Sequence, residues 1–376
     1  MKNIGFVSYW FNRGQAVVTK YVKSIFDEAG YNTFVLTKSP KKRISLKSLS
    51  STRGIKNIFT ELSNKIKQKS DFEISQDWID ENITIGSQTN QIEKSKYLEW
   101  ADINKLDICF FDQNYQFREI KALKETGVKT IGRFVWEQFA PEHANEANDA
   151  FDIIYSLTNC EHNRYLKELN INSKLIRWGI HPSLLNHNIK KEKKGPIKFY
   201  YPAGYCGSRK SVNETIEAFR KVKNDNIRLF ISSQKPINSY GDSRIIVDSG
   251  NISSHKEFHK KMYSCDVCII PSRWEGLGLA FVESIAFEMP ILTTDYPPMN
   301  EYVLPNETGF LINCDTKNKR KNGIWIADIS IKNLSEKIAK IADRVTINRM
   351  SKNTKDILQK KYAWDKTIED YKDLIK

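Results

Sequence analysis

The run Pro271-Ser272-Arg273-Trp274-Glu275-Gly276-Leu277-Gly278-Leu279-Ala280-Phe281-Val282-Glu283 sets two carboxylates around a glycine-rich turn. An apolar run, Asp266–Ile270, precedes it. A helix-like run, Leu279 to Phe287, continues from it, and a second apolar run, Pro290–Thr294, follows. Strand, glycine turn, helix and strand make a βαβ unit with a corner suited to a ligand. Gly276 and Gly278 let the backbone come close to that ligand and take angles closed to other residues. The free N–H groups at the start of the helix attract anions, phosphate above all. If all the steps from Glu275 to Glu283 were helical they would span roughly 12 Å. That exceeds the roughly 5–9.5 Å between the carboxyl groups of a glycosidase. The pair therefore reads as two clamps on one long ligand, of which a nucleotide diphospho-sugar is an example. An ordinary strand-to-helix turn with solvated glutamates is the alternative on spacing alone.

Outward from this turn, strand-like and helix-like runs alternate along nearly the whole chain. Ile4–Tyr9 leads through Gly14 to an amphipathic helix with Val17, Val18, Tyr21, Val22, Ile25 and Phe26, which Gly30 ends. Strands are predicted at 33–36, 107–111, 130–135, 153–157 and 175–178. The polar run Asn186–Pro196 is the best linker in the chain. The alternation restarts after it, with strands at 197–201, 227–231, 244–247 and 309–312 and a helix at 211–223. A last helix covers 362–375. Alternation of this kind gives an α/β fold with mostly parallel sheets. The restart predicts two similar domains with a cleft between them, where ligands usually bind.

Composition narrows the class. At 376 residues, with 40% hydrophobic and 11% aromatic side chains, the chain can bury more than one core and is not a disordered one. No apolar run approaches a membrane span of about 20 residues. The N-terminus turns polar too soon for a signal peptide, so a cytoplasmic protein is expected. Six cysteines are scattered, and only Cys265 and Cys268 have a metal or redox spacing. With no second pair to accompany them they read as reduced structural thiols. His255 and His259 share a helical spacing without the metalloprotease pattern. The net charge of +14 is concentrated at 38–70, where ten basic side chains face one acid, Glu61. Ile55, Ile58, Phe59, Leu62 and Ile66 recur there at helical spacing. A basic amphipathic helix would bind an anionic membrane surface. A solvated Lys-rich segment is the other reading. No nucleic-acid-binding signature accompanies the charge.

The segment 271–301 resembles the donor-site signature of retaining GT-B glycosyltransferases of the family 4, or group 1, type. The match lies in Pro271, Ser272, Glu275, Glu283, Pro290 and Glu301, with the Gly-Leu-Gly-Leu between the glutamates. Weaker similarity covers Pro202-Ala203-Gly204, Arg209-Lys210 and Ile216–Phe219. The resemblance implies two Rossmann-like, doubly wound domains facing a cleft. The first would be residues 1–185, an acceptor domain, and 186–196 the linker. The donor domain would be 197–355, and 356–376 a helix crossing back to the first domain. It also implies transfer of a sugar from a UDP- or GDP-sugar to a hydroxyl of a growing cell-surface glycan, such as lipopolysaccharide, capsule or a lipid-linked oligosaccharide.

Roles follow from the same resemblance. Glu275 would hold sugar hydroxyls near the reacting carbon, and Glu283 the ribose. Arg209 and Lys210 would hold the diphosphate. Gly14, Gly204, Ile252, Gly276, Leu277, Gly278, Leu279 and Glu301 would bind the donor. Two fixed cations stabilise the charge that builds on a leaving diphosphate, so no metal or other cofactor is expected. The chain departs from the family at Tyr205, where an Arg is usual, and at Tyr296-Pro297-Pro298, where glycines are usual. It also ends a strand in Trp136-Glu137 where many members carry a His, which makes Glu137 a candidate contact to donor sugar or acceptor. The expected partners are a nucleotide-sugar, a glycan or glycolipid acceptor, and an anionic membrane on the inner face of the plasma membrane, but no nucleic acid. A GT-B epimerase, a sugar-phosphate-utilising synthase and a non-enzymatic basic binding protein are the alternatives.

Overall fold

The computed structural model describes residues 2–11, 14–38, 78, 82–87, 91–185, 195–205, 207–250 and 255–376. The basic segment 38–70 beyond Lys38, most of the 186–196 linker and Ile252 fall outside these residues.

The first sheet is wholly parallel. Its strands are β1 (Asn3–Tyr9), β2 (Asn32–Lys38), β3 (Ile83–Ser87), β4 (Ile108–Asp112), β5 (Lys129–Arg133), β6 (Ile153–Ser156) and β7 (Lys174–Leu175). They lie in the order β3-β2-β1-β4-β5-β6-β7. The second sheet holds β8 (Ile197–Gly204), β9 (Ile227–Ser233), β10 (Ile245–Ser249), β11 (Val267–Ile270), β12 (Ile291–Thr294) and β13 (Gly309–Ile312). Its order is β10-β9-β8-β11-β12-β13, again parallel throughout. Both sheets thus run outward one way from their first strand and then the other way from their fourth. This is the doubly wound, Rossmann-like pattern, with a topological switch point beside the first strand.

By packing, the chain divides into two compact units. One is Met1–Arg133 with Asn145–Ile154, and the other is Phe134–Ala144 with Tyr155–Lys376. The first unit builds its core around β1, whose Phe6 stacks on Phe110 at 5.3 Å between ring centres. The buried face of α1 (Gly14–Glu28) supplies Val17, Val18, Val22, Ile25 and Phe26. These are the positions the helical spacing selects. Tyr21 of that set is only half-buried.

In the second unit the core is mostly aliphatic and lies between sheet and helices. Phe199, Tyr201, Leu229, Ile231, Val267 and Ile269 come from the strands, and Ile216, Phe219, Leu334 and Ile338 from helices. Alternate residues of β8 and β11 face it, as a strand's two-residue period requires. The last helix, Trp364–Leu374, packs on the segment around residues 155 and 177–181. Trp364 meets Trp178 edge to face at 5.4 Å, and Tyr371 meets Tyr155 at 5.5 Å. Asp370 takes Nη2 and Nε of Arg177 at 2.6 and 2.9 Å. Thr367, Tyr371 and Leu374 are buried on the packed side, while Ile368 is half-buried. The hydroxyl of Thr367 bridges the Gly179 amide and the Arg177 carbonyl, which explains why a polar residue holds that position.

One element has no counterpart in the sequence reading. After β13 the chain forms an antiparallel hairpin, β14 (Cys314–Lys319) and β15 (Trp325–Ile329). β14 carries Asp, Lys and Asn at most of its positions, so neither alternation nor an apolar run marks it, while β15, Trp325-Ile326-Ala327-Asp328-Ile329, is a short apolar run that the sequence reading did not single out.

Candidate active site

The switch point of the second sheet decides where the site lies. β8 and β11 are neighbours and parallel, so the loops that leave their C-terminal ends rise side by side. The loop after β8 carries Arg209 and Lys210, and the loop after β11 carries Ser272 to Gly278. Backbone bonding ties them, since the Arg273 amide donates to the Arg209 carbonyl at 2.8 Å.

Glu275 is the centre of the arrangement and is 4% exposed. Its Oε2 lies 2.5 Å from Arg209 Nη1 and its Oε1 2.6 Å from Lys210 Nζ. Ser272 Oγ donates to the same Oε1 at 3.3 Å. Burial works to raise the Glu275 pKa, but Lys210 and Arg209 outweigh it and hold the carboxyl below its ordinary range. Lys210 is lowered by burial, against the pull of Glu275. Removing one member of such a set would leave the others buried and uncompensated.

Glu137 joins this cluster. Its Oε1 lies 3.6 Å from Arg209 Nη1. Burial, with the charge of Glu275 adding to it, pushes the Glu137 carboxyl up to about 7 against the pull of Arg209. Its Oε2 is buried with no hydrogen-bond partner among the described residues. The backbone of Glu137 is fixed from the hairpin: its carbonyl accepts Arg320 Nη1 at 2.5 Å and Asn322 Nδ2 at 2.8 Å. Arg320 also lies over the Trp274 ring at 4.8 Å. The hairpin turn thus holds the backbone of the Trp136-Glu137 segment.

The turn has the strained backbone its glycines foretold. Gly278 sits at φ +69° and caps the helix Leu279–Ala286. A Cβ on Gly276 would meet Val135 Cγ1 at 2.7 Å, so this glycine lets the turn lie directly on the Val135-Trp136-Glu137 segment that follows β5. Leu277 is buried and its carbonyl accepts Tyr302 Oη at 2.7 Å. Leu279 opens the helix half-buried. Gly204 ends β8 at φ +56° with open space around its Cα. Ser211, immediately after Lys210, holds φ +50°, an uncommon angle for a residue with a Cβ, and its buried Oγ has no partner among the described residues.

Two predicted contacts of this unit, Glu283 and Glu301, bond to other groups. Glu283, 8% exposed, faces His259, whose Nε2 lies 3.1 Å from its Oε1. Glu301 caps the helix Asn159–Glu168, taking the Asn159 and Cys160 amides at 3.1 and 2.9 Å. Gly14 opens α1 in the first unit. Residues the sequence reading left out of the site are Ser211, Arg320 and Asn322. Ser272 was quoted only as part of the motif. Arg320 and Asn322 lie in a Lys-rich turn with no signal to single them out. Among the described residues no three His, Cys, Asp or Glu side chains are grouped as a metal site requires. Cys265 and Cys268 are both buried and outside any disulfide.

Comparison with known proteins agrees with this geometry. Residues 186–357 match the family model described as glycosyl transferases group 1. The chain is 26% identical over 141 residues to the capsular polysaccharide biosynthesis glycosyltransferase CapM of Staphylococcus aureus, a match covering 34% of this chain and 36% of CapM. The chain spans well under half the length of the curated relatives it matches, 36%, 16% and 29% of them. Solved structures share the whole fold. A glycosyltransferase from Rickettsia africae superposes with a TM-score of 0.71 at 14% identity, covering 100% of this chain and 99% of that one. A TarM variant of S. aureus, in complex with fondaparinux, α-GlcNAc-glycerol and UDP, does so with a TM-score of 0.69 at 12% identity, covering 100% and 99%. The two Rossmann-like sheets are thus those of the GT-B glycosyltransferase fold, and residues 186–357, which hold Arg209, Lys210, Glu275 and Glu283, match the group 1 glycosyl transferase family.

Proposed function

We propose that the protein is a retaining glycosyltransferase that moves a sugar from a nucleotide diphospho-sugar to a hydroxyl acceptor on a growing surface polysaccharide. The observation that carries this is the Glu275 carboxylate set between Arg209 and Lys210 at the mouth of a glycine turn. The two cations face the place where a diphosphate would sit against the helix capped by Gly278. Arg209 keeps a third of its side chain exposed and has more N–H donors than Glu275 uses.

In the step itself the bond from the anomeric carbon to the diphosphate oxygen breaks. A bond to the acceptor oxygen forms on the same face, and the acceptor's proton passes to the departing diphosphate. Arg209, Lys210 and the amides about Gly278 stabilise the charge on the leaving group without a metal. Glu275, kept ionised, orders the sugar hydroxyls and the two cations. Glu283 binds ribose hydroxyls, with His259 fixing its carboxylate. The reaction needs no side-chain general base, because the leaving group takes the proton.

A panel of UDP- and GDP-sugars on the purified protein tests this reading. A thermal shift with at least one of them is expected, and turnover of that donor should disappear in Glu275→Ala while the protein stays folded. A folded protein that no nucleotide-sugar stabilises refutes it. The acceptor is placed at a membrane because of the basic segment 38–70, although no helix among the described residues is long and apolar enough to cross a bilayer.

A further inference from the structure

We propose that the cavity beside the Trp136-Glu137 segment binds a sugar ring of the acceptor glycan, with Trp325 of the hairpin as its stacking platform. The cavity measures about 470 Å³, within the range of small-ligand sites. It lies wholly in the second unit. Among its lining residues, Trp136, Tyr296 and Trp325 are aromatic, and Asn159, Asn163 and Asn300 carry amides.

This mixture is what a saccharide needs. A sugar ring presents C–H faces that pack on an aromatic surface, and a rim of hydroxyls that pair with side-chain amides. Trp325 remains 39% exposed although it is a large apolar side chain on a structured strand. Lys319 Nζ lies over its ring at 4.2 Å, so the ring already takes a partner on its surface. Trp136 is 4% exposed, and its Nε1 is buried with no partner among the described residues. The guanidinium of Arg164 is committed elsewhere, to the Trp136 and Asn322 carbonyls at 3.0 and 2.6 Å, so the site does not offer it to an anion. With Arg164 committed, the remaining charges of the lining, Lys167 and Lys319 against Glu168 and Glu301, are even, which favours a neutral saccharide over a phosphate.

The cavity's position relative to the charged cluster follows from the chain. Trp136 lines it, and the next residue, Glu137, lies 3.6 Å from Arg209. The hairpin turn that bonds the Glu137 carbonyl leads directly into Gly323, Ile324 and Trp325 of the cavity wall. A ring held there would be presented to the donor's reacting carbon across the Trp136-Glu137 dipeptide. The assignment as acceptor subsite rests on the donor reading above, whereas the assignment as a saccharide site does not.

Saturation-transfer difference NMR with p-nitrophenyl α- and β-hexopyranosides, run on wild type, Trp325→Ala, Trp325→Phe and Glu275→Ala, tests both. Wild type should bind at least one glycoside. Trp325→Ala should weaken that binding about tenfold, the loss of roughly one aromatic contact. Trp325→Phe should restore most of it, and Glu275→Ala should leave it unchanged. Thermal shifts with nucleotide-sugars should be unaltered in Trp325→Ala, which also shows that this variant folds. No glycoside bound by wild type, or equal binding in Trp325→Ala, overturns the inference even where nucleotide-sugars still bind. Glycoside binding lost in Trp325→Ala, in a protein that no nucleotide-sugar stabilises, would support the saccharide site and refute the donor reading alone.

Discussion

At the scale of single residues, the site is a buried charge balance. Two cations, Arg209 and Lys210, meet two carboxylates, and the carboxylates are not equivalent. Glu275 takes both cations at short range and stays ionised, while Glu137 meets Arg209 alone at 3.6 Å. Near pH 7 a share of Glu137 is therefore protonated, and this has a consequence for stability. Below about 4.5 the carboxyl holds its proton in folded and unfolded chains alike. From there to about 7 the unfolded chain gives the proton up and the folded chain keeps it, so stability falls as pH rises through that window. Urea unfolding midpoints measured from pH 4.5 to 7 should decline more steeply for wild type than for Glu137→Gln. Parallel curves would remove Glu137 as the cause. Both carboxylates and both cations were legible as residues in the sequence, Glu275 from its motif and Glu137 from a strand end. The direct pairing of Glu275 with the cations was not, because the two loops are more than sixty positions apart.

At the scale of elements, the turn from β11 into the helix Leu279–Ala286 carries the backbone strain. Gly278 caps that helix in the left-handed region, and a Cβ there would also come within 2.6 Å of the Phe281 ring. Gly278→Ala should therefore cost about 1–2 kcal/mol from the backbone angle alone, and more from the clash. Because Phe281 stacks on Tyr302 at 4.7 Å, the displacement reaches the hydrogen bond that Tyr302 gives to the Leu277 carbonyl. The expected outcome is a lower unfolding midpoint together with weaker nucleotide-sugar binding. Unchanged binding in a destabilised protein would separate the turn from the donor site. The helix and its glycine turn were readable because an apolar run, a Gly-x-Gly and a second apolar run follow in order. The 314–329 hairpin was not, since β14 is polar on both faces and leaves the short apolar run of β15 without a visible partner in the sequence.

At the scale of the molecule, the C-terminal helix closes the second unit on itself. Its Tyr371 is fully buried against Tyr155, and its Asp370 takes Arg177 in a two-point bond. Tyr371→Ala should destabilise this unit by about 3–5 kcal/mol, the cost of a large buried truncation. Calorimetry should show the unfolding transition of this unit moving down. A shift below roughly 1 kcal/mol, the ordinary range of surface changes, would mean the helix is not needed to hold the unit. The surplus of positive charge belongs to this scale as well. If the segment 38–70 binds anionic lipid, vesicles rich in phosphatidylglycerol should retain the protein at low salt and release it at high salt. Full recovery in the supernatant at low salt would refute the membrane attachment.

By itself the sequence determined the class of the fold and the chemistry of the corner. Alternating apolar runs dictate parallel sheets covered by helices, because each run must bury its apolar side. Glycines at 276 and 278 dictate a close-packed turn, because no side chain fits there. Tertiary structure alone decided which distant groups share the corner. β8 and β11 became neighbours through the sheet order, and that adjacency set Arg209 and Lys210 against Glu275. It also decided that Glu301 caps a helix, and that a polar hairpin grips the carbonyl of Glu137. Such contacts depend on geometry between residues far apart in the chain, where local pattern carries no information.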